Sequence, residues 1–259
     1  MKLLLTGSSG FIGTHLVEAL QERGHYVTGV DREPPQGTAP DEFVHGDLLA
    51  EGTLEGVFQS VDCVFHLAAS KDDWGVSRDE YFRDNVSATE KLIAAGRRAG
   101  IRRWFHYSTV GVLPSGLKAS DENTEYDPGT DYGASKAVAE KQFFKLARDA
   151  PEAEVVIIRP SAVFGPRNPP TTNVHRLIEA IRDNRFVMVG DGRTPKTTSY
   201  IYNLIAATLF LAEEFRPGVQ VFHYVDSPVM TTEVLVDRIY RQLSKPRPRL
   251  RIPRPVAES

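Results

Sequence analysis

A short apolar strand, Lys2-Leu3-Leu4-Leu5-Thr6, runs directly into Thr6-Gly7-Ser8-Ser9-Gly10-Phe11-Ile12-Gly13, and a helical pattern then continues from Phe11 to Arg23. Glycines at these positions let backbone turn tightly and approach an anion, which the N–H groups and positive dipole end of the helix then face. A plain strand-to-helix turn also uses glycine, so the run gains meaning only from its surroundings. The second strand, Tyr26 to Val30, leads into Asp31, 18 residues after Gly13, where a carboxylate can accept both hydroxyls of an adenosine ribose. Gly7, Gly10, Phe11, Ile12 and Gly13 are therefore candidate pyrophosphate residues, with Asp31 and Arg32 at the ribose. Asp31 repels a 2′-phosphate and favours NAD over NADP, whereas Arg32 is the residue type that would welcome that phosphate. Asp47 and Leu48 follow the third strand and are candidates for the adenine edge, a helix N-cap being the other reading of Asp47.

Further strands are expected at Glu42 to His45, Asp62 to Leu67, Arg103 to Ser108 and Glu154 to Arg159, most followed by helical patterns. That alternation predicts an α/β fold with a doubly wound parallel sheet, Rossmann-like. Eleven of the seventeen prolines lie at or after Pro160, which divides the expectation into a cofactor domain, 1–160, and a smaller, loop-rich substrate lobe, 161–259, interleaved with it. The lobe shows helical patterns at Asn173 to Asp183, Asn203 to Glu214 and Thr231 to Leu243, and apolar runs at Phe186 to Val189 and Val219 to Tyr224. Lys245 to Arg254, with its alternating prolines, reads as a solvated extended tail. A net charge of -3 gives no reason to expect a nucleic-acid partner. The single cysteine, Cys63, cannot build a disulfide or a cysteine-rich metal site within one chain, and the longest late apolar run, Leu204 to Ala212, cannot span a bilayer. These features predict a cytoplasmic protein with no membrane partner.

Tyr132-Gly133-Ala134-Ser135-Lys136 places a phenol and an ammonium four residues apart, hence on one face of a helix. A cation ~5 Å away at an effective ε of ~20 favours the phenolate by roughly 3 kcal/mol, which lowers a phenol pKa by about 2. A surface tyrosine stacked on its neighbouring lysine shows the same pattern. Thr109 puts a hydroxyl at the carboxyl end of the fifth strand, where open α/β sheets bind ligands. His66 and His106 lie in strand patterns with no ligand spacing and read as core histidines. Trp74 reads as local packing, with stacking on a substrate ring as the other possibility.

Glycine cradle, acidic strand end, hydroxyl strand end and Tyr-x-x-x-Lys occur here in an order that resembles the extended short-chain dehydrogenase/reductase family, of the NAD-dependent epimerase/dehydratase type. His66-Leu67-Ala68-Ala69, Asn85-Val86-Ser87-Ala88-Thr89 and Arg159-Pro160-Ser161-Ala162-Val163-Phe164-Gly165-Pro166 also look like family blocks. The resemblance implies Thr109 as substrate hydrogen-bond partner, Tyr132 as acid/base, and Lys136 as ribose ligand and tuner of the tyrosine. It adds Leu67, Ala68, Ala69 and Lys71 to the cofactor set, Lys71 reading equally well as a solvated loop residue. Family dehydratases carry an Asp-Glu pair after the catalytic hydroxyl, and Val110-Gly111 here disfavour elimination. What remains is reversible hydride transfer with NAD, and the resemblance implies a secondary alcohol of a nucleotide sugar as substrate and a homodimer as the assembly. A 3β-hydroxysteroid or dihydroflavonol-type reductase and a non-catalytic cofactor sensor are the alternatives. Two departures touch the substrate. Ala162 stands where many nucleotide-sugar members have Asn, and Thr198 where they have Arg; Arg167, Arg193 and Lys196 are the candidate replacements for that diphosphate grip.

Overall fold

Leu3, Leu4 and Leu5 are consecutive and all buried, which a strand achieves only when both faces of its sheet are covered. The computed structural model describes residues 1–71, 75–116, 120–247 and 251–252, so Trp74 lies outside the described residues. The main sheet is built from β1 (Lys2–Thr6), β2 (Tyr26–Asp31), β3 (Glu42–His45), β4 (Cys63–His66), β5 (Arg103–Tyr107), β6 (Glu154–Pro160) and a late strand, Gly218–Tyr224. All neighbours are parallel, in the spatial order late strand, β6, β5, β4, β1, β2, β3. Strand order therefore reverses between β1 and β4, the place where such sheets open a ligand crevice at their carboxyl ends.

Helices cover the two faces. Leu3, Leu5, Phe65, Phe105, Val156 and Ile158 pack on one side with α1 (Phe11–Glu22), while Leu4, Val64, Trp104, Val155 and Ile157 face the other. There they meet α3 (Ala88–Arg98) and α4 (Asp131–Asp149) through Leu92, Phe143 and Leu146. Before α3 come the short α2 (Arg78–Phe82), begun by a Ser77 and Glu80 capping box, and one π-helical turn, Arg83–Ser87. Asp84 and Asn85 lie in that turn, and both have partners described below.

Residues after 160 serve both layers. β7 (Ala162–Phe164) pairs in parallel with β10 (Thr198–Tyr200), leading into α6 (Ile201–Leu211), which packs on α1 through Leu204 and Ile205. Strand β11 (Gly218–Tyr224) then becomes the edge of the main sheet beside β6. The remainder forms a small lobe: α5 (Asn173–Arg182), α7 (Thr232–Gln242) and the short strands β8 (Met188–Val189), β9 (Pro195–Lys196), β12 (Met230–Thr231) and β13 (Arg251–Ile252). Its core is Ile181, Met188, Val236 and Tyr240.

The expectation of a solvated tail over Lys245 to Arg254 is corrected for its described residues, 245–247 and 251–252, by this lobe; the others lie outside the described residues. Lys245 Nζ donates to Asn184 Oδ1, Arg247 lies 3.6 Å from Glu233 and also pairs with Asp237, and β13 joins β8. Arg247 thus neutralises acids of α7, and Lys245 bonds to the end of α5 and the turn after it, rather than both facing water alone. Between the layers, Arg159 and Glu140 form a buried pair, at 2.6 Å at its closest, with the Tyr126 hydroxyl donating to the same carboxylate at 2.8 Å. Among the described residues no helix is long and apolar enough to cross a membrane.

Candidate functional site

Gly7 adopts φ +76°, and its N–H donates to Val30 O, fixing the turn that ends β1. A Cβ on Gly7 would come within 2.6 Å of the Ala68 nitrogen, and one on Gly13 within 2.1 Å of Gly7 O, so both glycines are needed for strand, turn and helix to meet. Gly10 is the N-cap of α1, with no side chain capping the helix and no acid in its first turn. The first N–H groups of α1 are thus left for an anion.

Around this cradle lies a crevice of about 290 Å³. It is lined by every residue expected to hold cofactor: Gly7, Gly10, Phe11, Ile12 and Gly13, then Asp31, Arg32, Asp47 and Leu48, then Leu67, Ala68, Ala69 and Lys71. Asp31 accepts Ser9 N–H on Oδ2 at 2.9 Å and Glu33 N–H on Oδ1 at 3.0 Å. Each oxygen keeps a lone pair, which suits a ribose diol donating to both. Asp47 does not cap a helix; its Oδ1 takes the Leu49 N–H at 2.8 Å and closes a turn. These observations fit a dinucleotide: a glycine cradle that side chains would fill, an uncapped helix start and a pre-oriented carboxylate.

A second crevice, about 220 Å³, adjoins the first, and Phe11, Ile12, Lys71, Ser108 and Tyr132 line both. Thr109 faces only the second. Its Oγ1 accepts the Gly111 N–H at 3.1 Å in the 3-10 turn Val110–Val112, leaving the hydroxyl proton to donate elsewhere. Close contact brings the tyrosine to this turn. Gly133 packs so tightly that a Cβ there would sit 2.3 Å from Gly111 O, while Thr130 caps α4 through the Gly133 N–H. Tyr132, in the first turn of α4, is thereby set between cofactor crevice and second crevice. Lys136, one turn later, lines the first crevice with 2 % of its surface exposed.

Burial pushes the Lys136 ammonium down to about 8, with Glu140 opposing the shift. Its Nζ lies 3.4 Å from Nε2 of His106, which burial and Lys136 together hold well below the ordinary histidine range and so keep neutral. His66 stacks on His106 at 5.2 Å. Thr89 Oγ1 donates to Asn85 O at 2.6 Å and must accept from His66 Nε2, so His66 Nδ1 accepts from Thr6 Oγ1 at 2.7 Å. Both nitrogens of His66 are satisfied, as a core histidine requires.

A buried base with a lowered pKa binds fewer protons folded than unfolded between about 8 and its ordinary 10.5. Stability contributed through Lys136 therefore rises with pH across that window. Ligand binding that uses the ammonium runs the other way. NAD affinity, followed by calorimetric titration at stepped pH, is expected to weaken as pH rises through about 8. Affinity flat across that range would remove Lys136 from the ribose contact.

Three polar residues of the site escaped the sequence reading. Ser108 lines both crevices, and its buried hydroxyl has no hydrogen-bond partner in the structure. Asn85, inside a recognised block, takes the Ser70 N–H on Oδ1 and donates from Nδ2 to Ser70 O and Ser135 Oγ, tying the loop after β4 to α4. Asp84 lines the first crevice with Asp31 and Arg32, paired with Arg32 and Arg83. The candidate diphosphate ligands are not brought to the site. Arg167 pairs with Glu18 at 2.6 Å, Arg193 lies beside Asp191, and neither they nor Lys196 line the second crevice. Ala162 and Thr198 prove to be register partners in the β7 and β10 pair.

A model of the NAD dependent epimerase/dehydratase family matches residues 3–225. The chain is 31% identical over 255 residues to N-acetyl-alpha-D-glucosaminyl-diphospho-ditrans,octacis-undecaprenol 4-epimerase of Escherichia coli, covering 98% of this chain and 76% of that one. It is 33% identical over 230 residues to a 3 beta-hydroxysteroid dehydrogenase/Delta 5-->4-isomerase of Mycobacterium tuberculosis, covering 83% of this chain and 61% of that one. Among solved structures, UDP-glucuronic acid 4-epimerase from Bacillus cereus in complex with NAD superimposes with a TM-score of 0.86 at 25% identity, over 98% of this chain and 87% of that one.

Proposed function

This chain belongs to the NAD dependent epimerase/dehydratase family, and from that membership we propose that it epimerises a secondary alcohol centre of a nucleotide sugar. The observation that carries the reading is the junction of the two crevices at Tyr132, with Lys136 on the cofactor side and Thr109 on the other. Gly7, Gly10 and Gly13 with the start of α1 hold the pyrophosphate, and Asp31 holds the adenosine ribose. When bound, NAD supplies a reversible hydride acceptor. Thr109 donates its hydroxyl proton to the substrate oxygen and fixes the reacting carbon. Tyr132, as phenolate, takes the proton from the substrate hydroxyl as the C–H bond breaks, and returns it to the oxygen once the ketone has presented its other face. Lys136 keeps the phenolate favoured through its charge and binds the nicotinamide ribose. Val110 and Gly111 offer no acid or base for elimination, so epimerisation is preferred to dehydration. A homodimer in the cytoplasm completes the proposal, and native mass spectrometry reads the subunit count.

One observation favours a second reading. Among the described residues, the second crevice carries a single charged side chain, Lys71, beside Pro160, Ala162, Val163 and Val174. With so little charge facing the uncharged polar side chains Thr109, Ser161, Thr171, Thr172 and Asn173, this lining can also take a neutral alcohol of the 3β-hydroxysteroid type. A panel of UDP-, GDP- and dTDP-sugars, run beside 3β-hydroxysteroids, separates the two readings. The expected result is one sugar converted to its epimer with no stoichiometric NADH. Stoichiometric NADH with a steroid, and no conversion across the sugars, would overturn the epimerase reading.

A further inference from the structure

We propose that Asp84 is a cofactor-specificity residue: by pairing with Arg32 it withholds from a 2′-phosphate the one basic side chain among the described residues that line the adenosine end of the crevice, and so enforces the choice of NAD. The inference rests on the dinucleotide reading above and adds a residue that does not contact the ribose in that reading.

Arg32 follows Asp31 at the end of β2, within reach of the ribose edge that Asp31 serves. Taken from the sequence alone, it is a phosphate ligand in waiting, since a guanidinium recognises phosphate through two parallel hydrogen bonds. In the structure one arm of that fork, Nη1, is directed elsewhere. Arg32 Nη1 lies 3.1 Å from Asp84 Oδ2 and 3.6 Å from Asp47 Oδ2, and the Arg32 carbonyl is bonded to His45 Nε2 at 2.7 Å. Asp84 is the better-fixed partner, with 8 % of its side chain exposed against 39 % for Asp47. Its second oxygen is held by Arg83 Nε at 2.8 Å. Burial works against the Asp84 charge, but the bonds and charges of Arg83 and Arg32 outweigh it and hold the carboxyl below its ordinary range.

The surroundings strengthen the effect. Asp31, Glu33, Asp47 and Asp84 all line this end of the crevice, with Arg32 as the only basic side chain among the described lining residues there; Lys71 and Lys136 line it with the second-crevice residues and the catalytic pair. A 2′-phosphate would have to break the Arg32 and Asp84 contact and would leave a mostly buried carboxylate short of one partner, beside its own negative charge. NAD asks for none of this, because its ribose hydroxyls donate to Asp31. Asp84 lies in the π-helical turn Arg83–Ser87, so the selectivity is imposed from the helical segment before α3, distant in sequence from the β2 end.

The test is a calorimetric comparison of NAD and NADP on the wild type, Asp84→Asn, Arg32→Met and the double variant, each checked by thermal melt. Wild type is expected to bind NAD more tightly. In Asp84→Asn the ratio of NADP to NAD affinity should rise by about tenfold or more, the worth of one released charge-assisted contact. Adding Arg32→Met should cancel that gain. On its own Arg32→Met should leave NADP binding within about twofold of wild type, because a withheld guanidinium contributes little. This second variant keeps the test decisive should Asp84→Asn fold poorly. A folded Asp84→Asn with an unchanged ratio, or a large loss of NADP affinity in Arg32→Met alone, would overturn the proposal while leaving the NAD reading intact. Wild type preferring NADP would instead overturn the NAD reading itself.

Discussion

Tyr132→Phe is expected to lower turnover by about 10²–10⁴-fold, the usual worth of a positioned general acid/base, while NAD binds almost as before. The ring is kept and only the proton-carrying oxygen is lost, so packing against Tyr81, whose ring centroid lies 6.0 Å away, persists. Lys136→Ala should lose turnover and cofactor affinity together, because the same buried ammonium serves the phenol and the ribose. Steady-state rates on an authentic substrate, paired with NAD titrations, give the split between the two variants. A Tyr132→Phe enzyme running near wild-type rate would remove the acid/base assignment.

The second large effect is on stability. Arg159→Met should cost about 3–5 kcal/mol, since it strands the Glu140 carboxylate in a site with none of its side chain exposed. For a domain of this size that corresponds to a fall in melting temperature of about 10 °C. Adding Glu140→Gln should restore much of the loss, because a neutral amide can still accept the Tyr126 hydroxyl and no longer needs a counter-charge. A loss under about 1 kcal/mol in the single variant would show that water reaches the pair and that its burial is incomplete.

Local features were legible in the sequence because local chemistry determines them. The cradle at Gly7, Gly10 and Gly13, the acid at Asp31 and the Tyr132 and Lys136 spacing each depend on residues a few positions apart, and the crevice contains all of them. Residues whose role depends on what the fold brings near were not legible. Asp84 carries no motif of its own; its meaning comes from Arg32, fifty-two positions away and across the sheet end. Arg167 shows the reverse case. It reads as a spare cation near the substrate blocks, yet the chain delivers it to Glu18 on α1. Strand β11 was visible as an apolar run, but nothing local tells a strand which neighbour it will join, and its partner is β6 in the first layer. Arg247 likewise looked solvated because its acidic partners, Glu233 and Asp237, sit on a helix that precedes it.

That late strand matters during synthesis. Val155, Val156, Ile157 and Ile158 of β6 are fully buried, and one side of β6 has no partner until residues 218–224 arrive. On the ribosome the first six strands can assemble as soon as Pro160 emerges, leaving β6 as a temporary border with unpaired backbone groups and an apolar surface, the combination that recruits other chains. Chaperone demand should therefore peak while residues 161–217 are being made and fall once Tyr224 is out.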